Sequence, residues 1–168
     1  MRVLYLASVW LHILAATIWI GGIAFLILVV VPWLRRNRAV DAGALLRETG
    51  QRFRSVGWIC FGVLLLTGSF NLWARGVRFA DFGDAAWLGS PFGKSVVAKI
   101  SVFGLVLVIS AVHDFRTGPR ATAAIKSDPQ SSDARRLRRS AALLGRLNAL
   151  LALLLVALGV VIVRGLPW

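Results

Sequence analysis

The chain has 168 residues, 58% of them apolar, and carries a formal net charge of +13. An apolar content this high excludes an ordinary water-soluble domain and favours a membrane protein. The Arg residues cluster between long apolar runs, which argues against a nucleic-acid-binding stripe and for charges that orient membrane helices. With a single Cys, the chain can form neither an intrachain disulfide nor a CxxC metal site.

Four apolar segments are long enough to cross a hydrocarbon layer of ~30 Å at a rise of ~1.5 Å per residue. We predict an all-α membrane protein in which residues 1–168 form a single domain, an up-and-down four-helix transmembrane bundle. The predicted helices are residues 3–34, 53–74, 92–115 and 141–163. The first run is much longer than the apolar core of a cleaved signal peptide, so we interpret it as a membrane helix.

The connections between the predicted helices differ in charge. The first and third are rich in Arg, whereas the basic residues of the second are diluted by Asp81 and Asp84. The positive-inside rule therefore places the first and third connections in the cytoplasm. In a four-span bundle this orientation puts the N-terminus and the C-terminus outside.

Three features are predicted within the connections. Residues 41–51 have the pattern of a short amphipathic helix on the inner surface. Residues 80–91 predict an irregular outer loop with aromatic side chains at the headgroup level. Residues 127–134 predict a polar turn, and the Arg run that follows serves orientation and would also attract anionic lipid.

The first predicted helix contains one ionisable group, His12, within a long uncharged run. Ser8, Ala15, Trp19 and Gly22 recur with it at spacings of 4, 3, 4 and 3 residues, which keeps all five on one side of the helix. A titratable side chain is costly in a bilayer. We therefore expect this face to point into the bundle and His12 to have a function.

Several polar residues are predicted to lie at the depth of His12. At ~1.5 Å per residue, His12 and Lys99 both lie roughly 10–14 Å below the outer surface. Thr67 and Asn71 are one turn apart near the outer end of the second helix. Two structural alternatives stay open, namely a hydrogen-bonded His12 and a snorkelling Lys99. The predicted cofactor-binding residues are His12, Lys99, Thr67, Asn71 and Trp19.

The second histidine, His113, lies roughly 20 Å deeper than Lys99, near the cytoplasmic end of the third helix. It cannot share a metal ion with His12, because ligating nitrogens lie ~2 Å from the metal. His12 and His113 are thus candidate metal ligands at separate places, and a plain helix-end role for His113 stays open. Asn148 in the fourth helix is predicted to form a hydrogen bond between helices.

An ordered set of short motifs across all four predicted helices resembles the bacterial copper resistance protein D (CopD) family. The motifs are WLH at 10–12, WIGG at 19–22, RF at 52–53, TGSFNLW at 67–73, SPFGK at 90–94, Lys99, and GRLN at 145–148. The resemblance implies a multi-pass protein of the bacterial inner membrane that acts in copper uptake or tolerance, with a periplasmic copper-binding protein as partner.

The ligands available limit what such a protein could do with copper. One Met, one Cys and two His are too few for a relay of copper(I) sites across the membrane, because such sites use thiolate, thioether or imidazole ligands. The residues allow one outer copper site, centred on His12. A homo-oligomer that shares sites between copies would relax this limit.

The pairing of a His in the first helix with a Lys in the third also resembles the HemJ-type protoporphyrinogen oxidases, small membrane proteins that hold b-type haem. This second resemblance implies haem b as an alternative cofactor, with His12 as axial ligand and Lys99 as second ligand or propionate partner. A third hypothesis is a structural or partner subunit that binds no ligand. We predict no catalytic residues.

Overall fold

The computed structural model describes residues 1–36, 42–128 and 130–165, and all regular structure in these ranges is helical. Four helical stretches are long and apolar enough to cross a membrane, which confirms the predicted all-α fold with four spans. The spans are Arg2–Leu34, Glu48–Ala74, Pro91–Ile125 and Ser132–Arg164.

Within the described residues, the spans are built from six α-helices and two π-helical turns. Helix α1 (Arg2–Phe25) continues through the π-helical turn Leu26–Val30 into α2 (Val31–Arg36), and α3 (Ala42–Ala74) forms the second span. Helix α5 (Pro91–Val112) continues through the π-helical turn His113–Thr117 into α6 (Gly118–Ser127), and α7 (Ser132–Arg164) forms the fourth span. A 3₁₀ helix (Phe79–Gly83) and the short α4 (Ala85–Gly89) connect α3 to α5.

The amphipathic segment predicted as a separate surface helix is instead the start of α3. The helix runs without a break from Ala42 into the second span, and Asp41 lies outside the described residues. No Pro interrupts this stretch, and extending an existing helix is far easier than nucleating a second one. The second span therefore begins well before the predicted residue 53.

The third and fourth spans also extend beyond their predicted bounds. The π-helical turn carries the third span past residue 115, and Pro119 lies in the first turn of α6, directly after that turn. Helix α7 begins at Ser132 rather than residue 141, because Ser131 Oγ accepts a hydrogen bond from the Ala134 amide at 3.1 Å and caps the helix. The polar turn predicted at 127–134 is thereby shortened.

The outer connection is more ordered than the irregular loop that the sequence predicts. The Asp81 carboxylate accepts a hydrogen bond from the Arg78 amide at 2.7 Å, and Asp84 accepts one from the Ala86 amide at 2.9 Å. These two caps hold the 3₁₀ helix and α4 in place. Ser90 caps α5 in the same way, through the Gly93 amide at 3.0 Å.

The core lies at the middle of the bundle, where α1 packs along α3 and α5 packs along α7. Trp19 and Phe61 meet edge to face, with ring centroids 5.0 Å apart. The buried residues of α1 are Ser8, Ala15 and Trp19, which confirms the inward face predicted around His12. The buried core consists of Ala15, Trp19, Cys60, Phe61, Leu64, Val106 and Ala152.

Gly22 allows α1 and α3 to approach each other closely. A Cβ added at Gly22 would collide with the ring of Phe53, whereas one at Gly21 would meet nothing. The second helix pair is joined by a buried hydrogen bond, in which Asn148 Nδ2 donates to Ser110 Oγ at 2.8 Å. This bond confirms the interhelical role predicted for Asn148.

Candidate functional site

The structure joins His12 of α1 to Thr67 of α3. His12 Nδ1 lies 2.8 Å from Thr67 Oγ1, and Thr67 Oγ1 lies 2.6 Å from the Val63 carbonyl oxygen one turn earlier. A hydroxyl has a single proton to donate, and a carbonyl oxygen can only accept, so the proton of Thr67 goes to Val63. The hydroxyl must then accept from His12, which places the imidazole proton on Nδ1.

This hydrogen-bond chain fixes the tautomer of His12. With its proton on Nδ1, the neutral ring carries its lone pair on Nε2, which is the form in which imidazole binds a metal ion. Among the described residues, Nε2 has no hydrogen-bond partner. A hydrogen bond to one ring nitrogen is the usual way in which a protein orients a metal-binding histidine.

The backbone of α3 makes room for the imidazole ring. A Cβ added at Gly68 would lie 3.3 Å from His12 Cε1, so a larger residue at this position would push the ring away. Ser8 Oγ, one turn outward from His12, donates to the Thr67 carbonyl oxygen at 3.4 Å. The ring therefore lies in a slot whose walls are Thr67 and Gly68.

Asn71 lies one turn outward from Thr67 on α3. Its Oδ1 atom is buried and has no hydrogen-bond partner in the described part of the chain. A buried amide oxygen without a donor is costly, and such atoms in native structures call for an explanation, such as a bound ion. Asn71 therefore supplies an oxygen acceptor on the same side of α3 as the His12 slot.

Lys99 of α5 belongs to the same region but points toward α7. Its Nζ lies 3.1 Å from the position that a Cβ on Gly159 would take, so the absence of a side chain there accommodates the amine. Lys99 is close enough to His12 and to Arg75 for charge–charge interaction. Within the described residues Lys99 forms no hydrogen bond to His12, Thr67 or Asn71, so it acts on His12 only through its charge.

The outer ends of three spans are joined by Arg75, which the sequence analysis missed. Its Nε donates to the Tyr5 hydroxyl and its Nη1 to the Ile162 carbonyl oxygen, both at 3.3 Å. Arg75 thus connects α1, α3 and α7 just above Lys99. Only the three-dimensional arrangement of the helices indicates this role, because Tyr5 and Ile162 are 70 and 87 residues away in sequence.

Trp19, predicted on the cofactor-binding face, packs in the core. Its ring contacts Phe61 and lies 3.7 Å from the position of a Cβ on Gly57. Seven residues separate Trp19 from His12, or roughly 10 Å along the helix. The structure thus gives Trp19 a packing role beneath the His12 slot.

His113 lies at the opposite end of the bundle, in the π-helical turn. Its Nδ1 is 3.0 Å from Asp114 Oδ1, and Trp58 Nε1 donates to Asp114 Oδ2 at 3.0 Å. Arg54 Nη1 donates to the Asp114 carbonyl oxygen at 3.2 Å. The hydrophobic core separates this inner cluster from the His12 slot, in agreement with the predicted separation of the two histidines.

No group of three or more His, Cys, Asp or Glu side chains that could hold a metal ion occurs within the described residues. Cys60 is a free thiol buried among the core residues. A metal ion at His12 would therefore have one imidazole nitrogen and nearby oxygen atoms as protein donors. Such an incomplete set fits an ion in transit better than a permanently held one.

Comparison with known proteins identifies relatives of this chain. The family model described as copper resistance protein D matches residues 47–163, a range that excludes α1 and His12. An uncharacterized protein of Aquifex aeolicus (strain VF5) is 34% identical over 152 residues, which are 90% of each chain. Copper transport protein CutJ of Bacillus subtilis (strain 168) is 30% identical over 105 residues, 62% of this chain but 18% of CutJ. No solved structure gives a significant match. None of these matches supports haem.

Proposed function

The chain belongs to the copper resistance protein D family, and from that membership we propose a specific way in which it handles copper. It is a multi-pass membrane protein with a link to copper handling. We place it in the bacterial inner membrane as a single CopD-like domain with both termini outside. Its copper site, used in uptake or tolerance, is centred on His12 in the outer half of the bundle.

The observation that carries this proposal is the tautomer of His12. Because Thr67 gives its only proton to the Val63 carbonyl, it fixes the His12 proton on Nδ1 and leaves Nε2 as a donor to a metal ion. A histidine with only a structural role does not need a free lone pair on its second ring nitrogen. The buried Asn71 Oδ1, one turn outward from Thr67, has no partner among the described residues and supplies an unused oxygen.

The donor types favour copper(II) at this site. Imidazole nitrogen together with amide oxygen suits copper(II), whereas copper(I) prefers thiolate and thioether sulfur. Two protein donors leave the coordination sphere incomplete. Water, a periplasmic copper-binding protein or a second copy of the chain would supply the rest, so copper exchanges readily.

Lys99 adds to the lability of the proposed site. A protonated amine within electrostatic range of His12 opposes a divalent cation there. The effect is to weaken binding at His12 without blocking access to it. A weak site suits a protein that passes copper on, because tight binding would slow release.

Two histidine variants test the proposal, since the chain contains one His at each end of the bundle. Equilibrium dialysis of the purified protein against copper(II) should show at least a tenfold weaker affinity for His12→Ala, equal to ~1.4 kcal/mol. The matched variant His113→Ala should bind copper(II) as the native chain does. Thermal unfolding of both variants in detergent checks that each is folded.

The same preparations distinguish copper from haem. An absorption spectrum of protein isolated from its native membrane should lack a Soret band. A Soret band that disappears in His12→Ala would show that His12 binds haem rather than copper. If His12→Ala bound copper(II) as tightly as the native chain, His12 would not be part of the copper site.

A further inference from the structure

A large groove opens at the basic end of the bundle, away from the His12 slot. Its volume is about 880 Å³, and it lies between the third span and the beginning of α7, with Val31 of α2 at one side. We call it the basic groove. The positive-inside rule places it at the cytoplasmic face of the membrane.

Four arginines of α7 line one side of the basic groove. Arg135, Arg138, Arg139 and Arg146 recur at spacings of 3, 1 and 7 residues, which puts them on one face of the helix. All four side chains are exposed, and none of these side chains forms a hydrogen bond or ion pair within the described residues. No Asp or Glu of the described ranges lines the groove, so the charge of the arginines is not neutralised there.

The opposite side of the basic groove is largely apolar. Ala121 and Ile125 of α6 lie on that side, and Leu143 of α7 continues the apolar surface beside the arginines. A soluble phosphorylated metabolite or a nucleic acid would use the arginines and leave this apolar wall exposed. An amphiphile would use both, because its charged head and its hydrocarbon chain match the two walls.

From this pairing we infer that the basic groove binds an anionic phospholipid of the inner leaflet. The phosphate takes bidentate hydrogen bonds from the arginines, and an acyl chain lies along the wall formed by Ala121, Ile125 and Leu143. Arg135 and Arg146 are eleven residues apart, or about 16 Å along the helix, so one phosphate cannot reach all four guanidinium groups. A headgroup with two phosphates, as in cardiolipin, therefore binds more tightly than one with a single phosphate.

The test uses the full chain in detergent and native mass spectrometry to measure lipid affinity. The probes are cardiolipin, phosphatidylglycerol, phosphatidylcholine and inorganic phosphate. The groove variant carries Arg→Gln at positions 135, 138, 139 and 146. The matched control carries Arg→Gln at four exposed positions on the same side of the membrane and outside the groove lining, namely 36, 116, 120 and 136.

A third variant keeps the protein's charge and fills the groove. Ala142→Trp places a bulky ring in the basic groove at an exposed position, so the fold is expected to tolerate it. We expect the groove variant and Ala142→Trp each to bind cardiolipin at least about tenfold more weakly than the native chain does. The control variant should keep most of the native affinity.

Three results would overturn the inference. The first is an equal loss of cardiolipin in the control variant, which would mean that general positive charge explains binding. The second is native binding of phosphatidylcholine as tight as that of the anionic lipids. The third is inorganic phosphate bound as tightly as lipid, which would make a soluble anion the ligand.

Discussion

Each end of the bundle holds one histidine, and the two surroundings differ in kind. At the outer end, His12 contacts the neutral hydroxyl of Thr67 and the backbone at Gly68, and no carboxylate of the described residues binds it. At the inner end, His113 contacts Asp114, which is itself held by Trp58 and Arg54. The free lone pair of His12 suits a cation. His113 is held by a carboxylate and lies beside arginines whose side chains are unpaired within the described residues, so this surface suits an anion.

The core between the two ends keeps these environments separate. Trp19, Phe61 and Val106 fill the middle of the bundle, and the sole thiol, Cys60, is buried among them. In the described part of the chain, no chain of metal ligands connects His12 with His113. The comparison teaches that one small bundle can hold a histidine with a free lone pair and an arginine-rich surface at different depths.

The largest effect is expected where α3 forms the wall of the His12 slot. In Gly68→Val the new side chain would displace the imidazole ring, since even a Cβ would lie 3.3 Å from Cε1. We expect copper(II) affinity to fall by about fivefold to a hundredfold, equal to ~1–3 kcal/mol of overpacking. Gly62→Val is the control, because nothing lies within 4 Å of a Cβ there. If dialysis showed the same loss of copper(II) affinity in Gly68→Val and Gly62→Val, the proposed role of the His12 slot would be contradicted.

Removing the positive charge near His12 should act in the opposite direction. Lys99→Gln takes away the repulsion between the amine and a bound copper ion, so affinity should rise, on the order of tenfold. The release rate of copper(II) to a soluble chelator should fall correspondingly. If Lys99 were instead a neutral copper ligand, Lys99→Gln would bind copper(II) more weakly than the native chain. That result would contradict the repulsion proposed between Lys99 and copper at His12.

The smallest effect is expected from a change at the inner end. Trp58→Phe removes the hydrogen bond to Asp114 and should lower the free energy of unfolding by about 1 kcal/mol. Copper affinity should stay at the native value, because the core lies between Trp58 and His12. Trp10→Phe is the control, since Trp10 is 62% exposed. Thermal unfolding and dialysis on the same samples check both halves of this prediction, and a copper defect in Trp58→Phe would show that the ends are coupled.

The sequence predicts the spans and the inward face of α1 because both follow from local rules. Apolar length fixes which segments cross the membrane, and the helical period places Ser8, Ala15 and Trp19 on one side. The sequence also predicts that His12 lies near Thr67, because the two residues have similar depths in the membrane and lie on neighbouring antiparallel helices.

Other features depend on how neighbouring helices are rotated, which hydropathy does not encode. The bond between Trp58 and Asp114 joins residues 56 positions apart, and Lys99 turns toward Gly159 because α5 packs on α7. The polar ends of the spans were predicted as loops or separate helices because hydropathy falls there. The start of α7 depends on the cap Ser131, and the continuity of α3 depends on the absence of Pro from that helix.

The most direct test of the account is pulsed electron paramagnetic resonance of the copper(II)-loaded protein. This method detects the remote nitrogen of an imidazole that binds copper through its other nitrogen. We predict the signal of one imidazole per copper ion in the native chain, its loss in His12→Gln and its retention in His113→Gln. A signal that persists in His12→Gln and disappears in His113→Gln would place copper at the inner end and contradict the account.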